Sequence, residues 1–370
     1  MNYFLIAVLF IFAVFMGWII TPQILLVAFR KRLFDSVGGR KTHSGIVPRL
    51  GGVVFVPVQC FLLVLSMFFM YKLEITSYLQ DPFIPFQFLL LMIGLLILNM
   101  VGVIDDLIRI NYRRKFVAQI VASSFLPLSG LWINDLYGLL GITTLSPWIG
   151  MPLTVFVAVF IINAVNLIDG IDGLCSGLVG MGALVFGFLF IYNAAWLHAV
   201  FAFITAGVLC PFFYYNVFGK SKGRQRIFMG DTGSLTLGLS MAFLAISYAM
   251  NNPLIKPFSE GAIVVSFATL IVPLFDVVRV VRIRYFQHKP LFMPDQNHIH
   301  HKFLRVGMSH YVAMILILAL ALFFSFFNIV AVEYISNNIV IFIDIVLWIA
   351  FHLWLDRREL IRAKHGVANN

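Results

Sequence analysis

The sequence predicts an all-α, polytopic integral membrane protein with about eleven transmembrane helices. Hydrophobic residues make up 61% of its 370 positions and charged residues only 11%, whereas a soluble domain carries roughly 25% charged residues. The apolar residues form runs that are long enough, or nearly so, to cross about 30 Å of hydrocarbon as helices. Basic residues are distributed unevenly between these runs. Composition, run length and charge placement therefore all indicate a chain that crosses a bilayer repeatedly.

The apolar runs follow one another without an internal repeat or a flexible linker, which indicates a single domain over residues 1–370. The fourth run is the weakest, and the stretch 175–215 could be divided differently. We expect the first run to be a span and not a cleavable signal, because it is too long and lacks a basic n-region. The eleven runs are 3–28, 51–71, 87–104, 116–131, 148–167, 175–192, 195–215, 232–250, 260–281, 310–332 and 337–355.

The basic residues predict the orientation of these spans. Of the 26 Lys and Arg residues, 24 fall in five alternate segments, and only Lys72 and Lys256 lie in the loops between them. By the positive-inside rule the five segments are cytoplasmic, so the amino terminus lies outside and the carboxyl terminus inside. The net charge of +10 is thus a topology signal, and we expect no nucleic-acid partner. The five segments are 30–49, 105–115, 216–231, 279–309 and 356–370.

The positions of the cysteine and acidic residues limit the kinds of site that the chain can form. Cys60, Cys175 and Cys210 lie in or beside apolar runs without a CxxC pair, so a disulfide or zinc framework is not expected. Among the 16 acidic residues, Asp344 lies inside the last run without a companion motif, and we leave it unexplained. Seven others fall at predicted cytoplasmic span ends or loops: Asp105, Asp106, Asp169, Asp172, Asp231, Asp276 and Asp295.

Adjacent carboxylates, Asp105 and Asp106, close the third apolar run. Two acids side by side repel one another and are costly near hydrocarbon, and a divalent cation would relieve that cost. Magnesium that bridges to a diphosphate keeps several waters and needs only one or two protein carboxylates. The alternative is a solvated helix end balanced by nearby arginines.

A second acid pair lies in the stretch Asn163–Leu174. On a helix, the spacing of Asp169 and Asp172 would put both carboxylates on one face. Gly170 and Gly173 remove side-chain bulk, so we expect a ligand to approach the backbone there. The alternative is a simple helix-ending turn.

Two glycine-containing segments are suited to phosphate. Residues 230–234 offer a carboxylate, Asp231, with two hydroxyls and backbone amides at a predicted helix start. The alternative there is an ordinary helix cap. The loop that ends in residues 48–52 combines Arg49 with two glycine amides, which could hold a phosphate. For this loop a positive-inside anchor with a helix-entry turn is the simpler interpretation.

The largest cytoplasmic loop contains His298, His300 and His301. On a helix, His298 and His301 would share a face and His300 would point elsewhere. Three histidines with Asp295 could form a zinc or iron site. The basic loops and the other acid pairs favour phosphate chemistry instead.

Taken in order, these stretches resemble the polyprenyl-phosphate N-acetylhexosamine-1-phosphate transferase family, of the glycosyltransferase family 4 type. The pattern Asn297-His-Ile-His-His-Lys302 is similar to the branch that uses UDP-N-acetylglucosamine, whereas the branch that makes the first peptidoglycan lipid intermediate is expected to have consecutive histidines. Eleven inferred spans with a basic tail point to the same branch. Arg109 is a departure, because many relatives carry an acid there.

The resemblance implies transfer of a sugar phosphate from a UDP-N-acetylhexosamine to undecaprenyl phosphate, with release of UMP. It implies a bacterial inner-membrane enzyme that uses Mg²⁺, with Mn²⁺ as an alternative, at the cytoplasmic face. Loops near 30–49, 105–115, 165–175, 216–231 and 282–309 would form its active site. A homodimer is left open. UDP-MurNAc-pentapeptide remains an alternative donor, and an ion-coupled transporter is the alternative from another class.

The resemblance also implies roles for individual residues. Asp231 would bind the metal together with Asp172. The implied catalytic residues are Asp105, Asp106, Asp169, Asp172, His298 and His301. The implied substrate-binding residues are Arg49, Lys115, Asn166, Asn216, Phe228 and His300, with Phe228 stacking on uracil.

Overall fold

A computed structural model describes residues 2–31, 33, 47–73, 83–219, 225–289 and 297–367. The predictions that fall on Lys41–Ile46, Lys220–Arg224 and Asp295 lie outside these residues. A short 3₁₀ helix, Leu50–Val54, leads into the second long helix. The helices are α1 (Asn2–Arg30), α2 (Phe55–Lys72), α3 (Phe83–Ile108), α4 (Tyr112–Leu128), α5 (Pro147–Ile168), α6 (Leu174–Tyr192), α7 (Trp196–Val217), α8 (Gly230–Ala249), α9 (Ala262–Ala268), α10 (Ile271–Phe286), α11 (Ile299–Arg305), α12 (His310–Ala331) and α13 (Asn337–Val367).

The helices confirm a polytopic membrane protein. Within the described ranges, 9 helices are long and apolar enough to cross a bilayer, or 10 if the pair α9 and α10 is one span bent by 80°. Helix α4 coincides with the weakest apolar run and, at 17 residues, is not among them. Each apolar run therefore matches a helix or a bent pair. The count of eleven crossings and the orientation of the termini remain predictions.

Helix α8 is the centre of the bundle, because its whole apolar window is buried. It packs against α3 and α5. A Cβ on Gly102 of α3 would lie 2.4 Å from the Thr232 Cα of α8, and one on Gly238 of α8 would lie 2.6 Å from the Ile162 Cα of α5. Small residues thus let these backbones approach closely, as is usual for packed membrane helices.

A two-stranded antiparallel hairpin, β1 (Asp135–Leu139) and β2 (Ile142–Thr144), departs from the all-α prediction. The Tyr137 hydroxyl donates to the Ala249 carbonyl at 3.0 Å, at the end of α8. The Asn337 side chain at the start of α13 donates to the Tyr137 carbonyl at 3.0 Å. The hairpin therefore covers the carboxyl end of α8. The interpretation by apolar runs contained no signal for it, because these strands are short and face the bundle end.

Helix α4, which packs on α3 and α5, extends in the same direction as α8. Lys115, in the first turn of α4, lies beside Asp231 at the start of α8. Asn134, which follows α4, donates to the Asn251 carbonyl just after α8 at 2.9 Å. The bundle thus has a site end, where α3 and α5 finish and α4 and α8 begin, and a hairpin end opposite to it.

Candidate active site

At the site end, three helices bring two carboxylates and an ammonium group together. Lys115 Nζ lies 3.2 Å from Asp105 Oδ2 and 2.6 Å from Asp231 Oδ2. Asp105 comes from the last turns of α3, Lys115 from the first turn of α4 and Asp231 from the first turn of α8. The side chains are 12%, 24% and 27% exposed respectively, so water and a ligand can reach them. The structure thus brings together Asp105, Lys115 and Asp231, which the sequence analysis had named separately.

Asp106 has a different environment from its neighbour. Its Oδ1 accepts from the Asp231 amide at 2.8 Å, and its Oδ2 accepts from the Thr232 amide at 3.0 Å and the Thr232 hydroxyl at 2.6 Å. Asp106 therefore caps the amino terminus of α8 from another helix, and its charge favourably opposes the helix dipole. The amides that the sequence interpretation offered to a phosphate are used by this carboxylate.

The close approach of α3, α8 and the 3₁₀ helix makes this cap possible. A Cβ on Gly52 would lie 2.1 Å from the Gly233 amide nitrogen, so neither backbone leaves room for a side chain. Gly230 adopts a φ of +71°, a conformation that favours glycine. The glycines of the two predicted phosphate segments therefore serve backbone packing between those segments.

Residues 47–52 and 225–229 pair with one another along their backbones. The Phe228 amide donates to the Pro48 carbonyl at 2.9 Å, and the Gly51 amide donates to the Phe228 carbonyl at 3.0 Å. The Gly52 amide donates to the Met229 carbonyl at 2.9 Å. Both glycine amides that were predicted to hold a phosphate are therefore engaged. Arg49 and Phe228 lie on the two paired segments and are each half-buried.

Asn166 joins the site from the last turn of α5. Its Nδ2 donates to the Ser234 hydroxyl at 2.8 Å and lies 3.4 Å from Asp231 Oδ1. It therefore steadies the carboxylate at the start of α8. Asn166 was predicted to bind substrate, and the structure places it in direct contact with the predicted metal ligand.

The second acid pair lies in a turn and not on a helix. Helix α5 ends at Ile168 and α6 begins at Leu174, so the expectation that Asp169 and Asp172 share a helix face is wrong. Gly173, directly before α6, has a φ of +79°, a left-handed conformation that favours glycine. Asp169 is exposed to solvent, whereas Asp172 is half-buried.

Asp172 forms an ion pair with Arg226. Asn216 joins the same two segments, because its Oδ1 accepts from the Gly173 amide at 2.6 Å and its Nδ2 donates to the Ile227 carbonyl at 2.8 Å. Burial lowers the pKa of Arg226 from its ordinary value, yet the guanidinium stays charged at neutral pH. Asp172 and Asn216 thus tie the α5–α6 turn to residues 225–229.

The glycines of this turn contact protein side chains. A Cβ on Gly170 would lie 2.1 Å from His300 Nε2, and one on Gly173 would lie 2.4 Å from the Val217 side chain. The space that was interpreted as room for a ligand is occupied by neighbouring elements. Contact between Gly170 and His300 places the histidine helix α11 against the acid-bearing turn.

The three histidines differ from the helical-face prediction. His298 has non-helical dihedral angles and precedes α11, so it does not share a helix face with His301. The rings of His298 and His300 are parallel, with centroids 5.9 Å apart, and His300 and His301 lie 4.2 Å apart. Burial, reinforced by the charge of His301, lowers the pKa of His300 to about 3. His300 is therefore a neutral group at physiological pH.

Sequence reasoning named Asp276 only as an acid at a cytoplasmic span end, and it missed the contacts of this residue. Asp276, in α10, is fully buried and lies 2.8 Å from His298 Nδ1. The signal was present in the sequence, because an acid inside an apolar run needs a partner, and Arg279 follows three residues later. Arg226 was likewise included only as part of a basic loop.

The site contains oxygen donors suited to a hard cation. Among the residues that the structure describes, no three His, Cys, Asp or Glu side chains converge on one point. The donor set of Asp105 and Asp231 is therefore an open one, in which water and a ligand's oxygens would complete the coordination of a magnesium ion. The zinc or iron alternative at the histidines included Asp295, which lies outside the described residues, so it remains an alternative.

The fold and the site together define a membrane-embedded phosphotransferase. Residues 88–249 match the sequence profile of glycosyl transferase family 4. The matched segment contains Asp105, Lys115, Asp172 and Asp231, but neither Asp276 nor the histidine cluster.

Three relatives extend the similarity beyond that segment. A probable undecaprenyl-phosphate N-acetylglucosaminyl 1-phosphate transferase of Bacillus subtilis (strain 168) is 29% identical over 323 residues, covering 86% of this chain and 83% of its own. The undecaprenyl-phosphate alpha-N-acetylglucosaminyl 1-phosphate transferase of Yersinia pestis is 29% identical, covering 79% and 74%. The protein of that name from Escherichia coli (strain K12) is 27% identical, covering 93% and 90%.

Proposed function

We propose that this chain transfers N-acetylglucosamine 1-phosphate from UDP-N-acetylglucosamine to undecaprenyl phosphate. An oxygen of the acceptor phosphate attacks the β-phosphorus of the donor. A new phosphorus–oxygen bond forms while the bond from the β-phosphorus to the oxygen that bridges to the α-phosphorus breaks, and UMP leaves. The acceptor phosphate is already largely ionised near neutral pH, so we assign no dedicated general base.

The observation that carries this proposal is the cluster of Asp105, Lys115 and Asp231. It lies where three helices begin or end, so an acceptor can keep its hydrocarbon tail in lipid while its phosphate meets a water-soluble donor. Phosphoryl transfer requires mainly positioning and neutralisation of charge, and a cluster of fixed charges supplies both. The names of the relatives support the particular donor and acceptor.

Asp231 and Asp105 would hold Mg²⁺, with Mn²⁺ as an alternative. Both offer carboxylate oxygens, the ligands that Mg²⁺ prefers, and one or two suffice because the ion keeps several waters. Lys115 already holds a positive charge between them. When bound, the ion would supply charge neutralisation to the diphosphate oxygens. The proposal that Asp172 is a second metal ligand requires its ion pair with Arg226 to open.

The remaining residues are proposed to bind the substrates. Arg49 and Lys115, together with His298 and the half-buried His301, would hold phosphate oxygens through charge-assisted hydrogen bonds. Phe228 would stack on uracil, and its backbone pairing with residues 48–52 would fix the position of its ring. Asp169, which is exposed in the α5–α6 turn, would contact the nucleotide sugar, and Asn166 would orient Asp231.

We propose that the site end faces the cytoplasm of a bacterial inner membrane. The excess of basic residues in the alternate segments supports this orientation. UDP-sugars are made in the cytoplasm, so a donor site on that side is supplied directly. The reaction would be the first step in building a lipid-linked cell-surface polysaccharide.

The test is an assay of purified protein with undecaprenyl phosphate, Mg²⁺ and one labelled UDP-sugar at a time. We expect UMP and a lipid-linked product from UDP-N-acetylglucosamine. Turnover of another UDP-N-acetylhexosamine alone would correct the donor but keep the reaction. Turnover of UDP-MurNAc-pentapeptide alone would move the chain to the other branch, and no UMP from any donor would refute the proposed reaction.

A further inference from the structure

A buried carboxylate outside the proposed substrate site organises the histidine cluster. Asp276 lies on α10 with 0% of its surface exposed. A charged carboxylate is tolerated at such a position only when donors surround it. Within the described residues, its donors come from two places, its own helix and residues 298–299 at the start of α11.

The two oxygens of Asp276 receive different donors. Oδ1 accepts from the Ile299 amide at 3.0 Å and from Arg279 Nη2 at 2.8 Å. Oδ2 faces His298 Nδ1 at 2.8 Å. Arg279 also donates to the Asn297 carbonyl. Asp276 and Arg279 thus hold the three consecutive residues 297–299 by hydrogen bonds just where α11 begins.

This geometry selects one tautomer of His298. A carboxylate oxygen can only accept, so the ring nitrogen that faces it, Nδ1, must carry a proton. In the neutral ring the lone pair then lies on Nε2. We propose that Asp276 is a positioning residue that holds His298 in the Nδ1–H form, so that Nε2 is the nitrogen that serves the reaction.

The role of Nε2 rests on the proposed function, in which His298 meets a phosphate at the site end. There Nε2 can take up a proton and then donate to a phosphate oxygen, while Nδ1 stays bonded to Asp276. A carboxylate that orients a histidine in this way is a general device, known from hydrolytic triads and from metal-bound histidines. Here it would also hold the start of α11 against α10.

Asp276→Asn is the informative substitution, because it should reverse the tautomer. The two donors at Oδ1 require an acceptor, so the amide oxygen should remain on that side. The amide NH₂ would then face His298 Nδ1, which must become an acceptor, and the ring proton would move to Nε2. The substitution changes the size and the burial of the side chain little.

The first measurement does not depend on the enzymatic reaction. Nitrogen-15 NMR of histidine-labelled protein at about pH 8 reports which ring nitrogen is protonated, with a His298→Ala sample to assign the signal. We expect a protonated Nδ1 in the wild type and a protonated Nε2 in Asp276→Asn. An unprotonated Nδ1 in the wild type would overturn the proposal even if the variant did not fold.

The second measurement is a double-mutant cycle on UMP release. We expect Asp276→Asn alone to lower turnover by about 10- to 100-fold, as is usual for groups that orient a functional histidine. In a His298→Ala background the same substitution should cost less than about threefold, because its target is gone. An equal loss in both backgrounds would show that Asp276 only supports the fold and would overturn the proposal.

Asp344→Asn is the matched control. Asp344 is also a buried carboxylate, accepting from the Asn328 side chain at 3.2 Å between α12 and α13. It does not contact the histidine cluster, so it should change neither the His298 tautomer nor turnover by more than about threefold. If the wild type releases no UMP from any UDP-sugar, the proposed function fails, while the NMR result still decides the role of Asp276.

Discussion

At the scale of single residues, two adjacent aspartates at the end of α3 have different roles. Asp105 faces Lys115, beside Asp231, where a cation would be held. Asp106 caps the first turn of α8 with three hydrogen bonds. Their adjacency in the sequence reflects a division of labour, because one carboxylate fixes the helix that presents Asp231 and the other completes the charged cluster.

We expect Asp231→Asn to lower turnover by roughly a thousandfold. The amide keeps the size of the side chain but removes the charge that a hard cation prefers, and a loss of about 4 kcal/mol in transition-state stabilisation corresponds to that factor. The measurement is UMP release across a magnesium titration, with a check that the protein remains monodisperse. Near-normal turnover at the same magnesium optimum would refute the ligand role. Glu333→Gln, exposed at the hairpin end, should behave as the wild type.

Asp106→Asn should act mainly on stability. The Asn oxygen can replace one carboxylate oxygen, but its NH₂ group must face one of the donors at the start of α8. An unsatisfied donor costs about 1–3 kcal/mol, so the melting temperature in detergent should fall clearly. Asp105→Asn should melt close to the wild type, since the amide oxygen can still accept from the Ile110 amide and the lost ion pair with the partly exposed Lys115 contributes little. Equal melting temperatures for the two variants would contradict the division of roles.

The buried His300 ring should make the stability of the folded protein sensitive to acid. Its pKa is lowered to about 3 by burial, whereas an exposed histidine has a pKa of about 6.5. As pH falls through this window the unfolded chain takes up a proton and the folded chain does not, so stability is lost with falling pH. At pH 5 this difference in proton binding lowers the free energy of unfolding by about 2 kcal/mol.

His300→Gln should therefore lose less thermal stability than the wild type between pH 7.5 and pH 5. The control His288→Gln changes an exposed histidine and should keep the full acid sensitivity. A wild-type pH dependence in the His300 variant would show that this ring is not a source of it.

At the scale of elements, Gly170 sets the contact between the α5–α6 turn and α11. A Cβ there would lie 2.1 Å from the His300 ring, which is only 1% exposed and has little room to move. Gly170→Ala should thus displace α11 and cost about 1–3 kcal/mol, with at least a tenfold loss of turnover. Gly180→Ala is the control, because the nearest side-chain atom would lie at an ordinary 3.8 Å. Full activity of Gly170→Ala would show that the turn tolerates the shift.

The helices could be predicted from the sequence more accurately than the local geometry of the site. Every apolar run became a helix or a bent pair, because burial in lipid requires continuous apolar helix. Asp105 and Asp231 were singled out because a carboxylate at a span end needs compensation, whereas Lys115 was named only through the family resemblance. The turn at Asp169–Gly173 was wrongly treated as a helix face, since spacing alone cannot show where α5 stops.

The pairings between distant segments could not be predicted from one sequence. Asp106 reaches the start of α8, and Asp276 reaches residues 297–299, through the way the helices pack. The glycines were read as room for a ligand, yet most of them allow two protein segments to touch. Glycine removes bulk in both cases, and only the structure shows which neighbour uses the space.

At the scale of the whole molecule, the two ends of the bundle should lie in different compartments. In a variant without Cys60, Cys175 and Cys210, we expect Thr143→Cys in the hairpin to react with an impermeant thiol reagent in intact cells. Ser221→Cys, which lies outside the described residues, should react only after the membrane is opened. Modification of Ser221→Cys in intact cells would show that the predicted topology is inverted.

The buried position of α8 has a consequence for how the protein is made. Its mean hydropathy of 1.3 is the lowest among the candidate spans, which otherwise range from 1.8 to 2.7. A segment so rich in Thr, Ser and Gly gains little from contact with lipid, and seven helices precede it during synthesis. We therefore expect helices that were synthesised earlier to pack around α8 as it enters the membrane. For the helix that carries Asp231, we therefore expect membrane insertion and assembly of the candidate site to occur together.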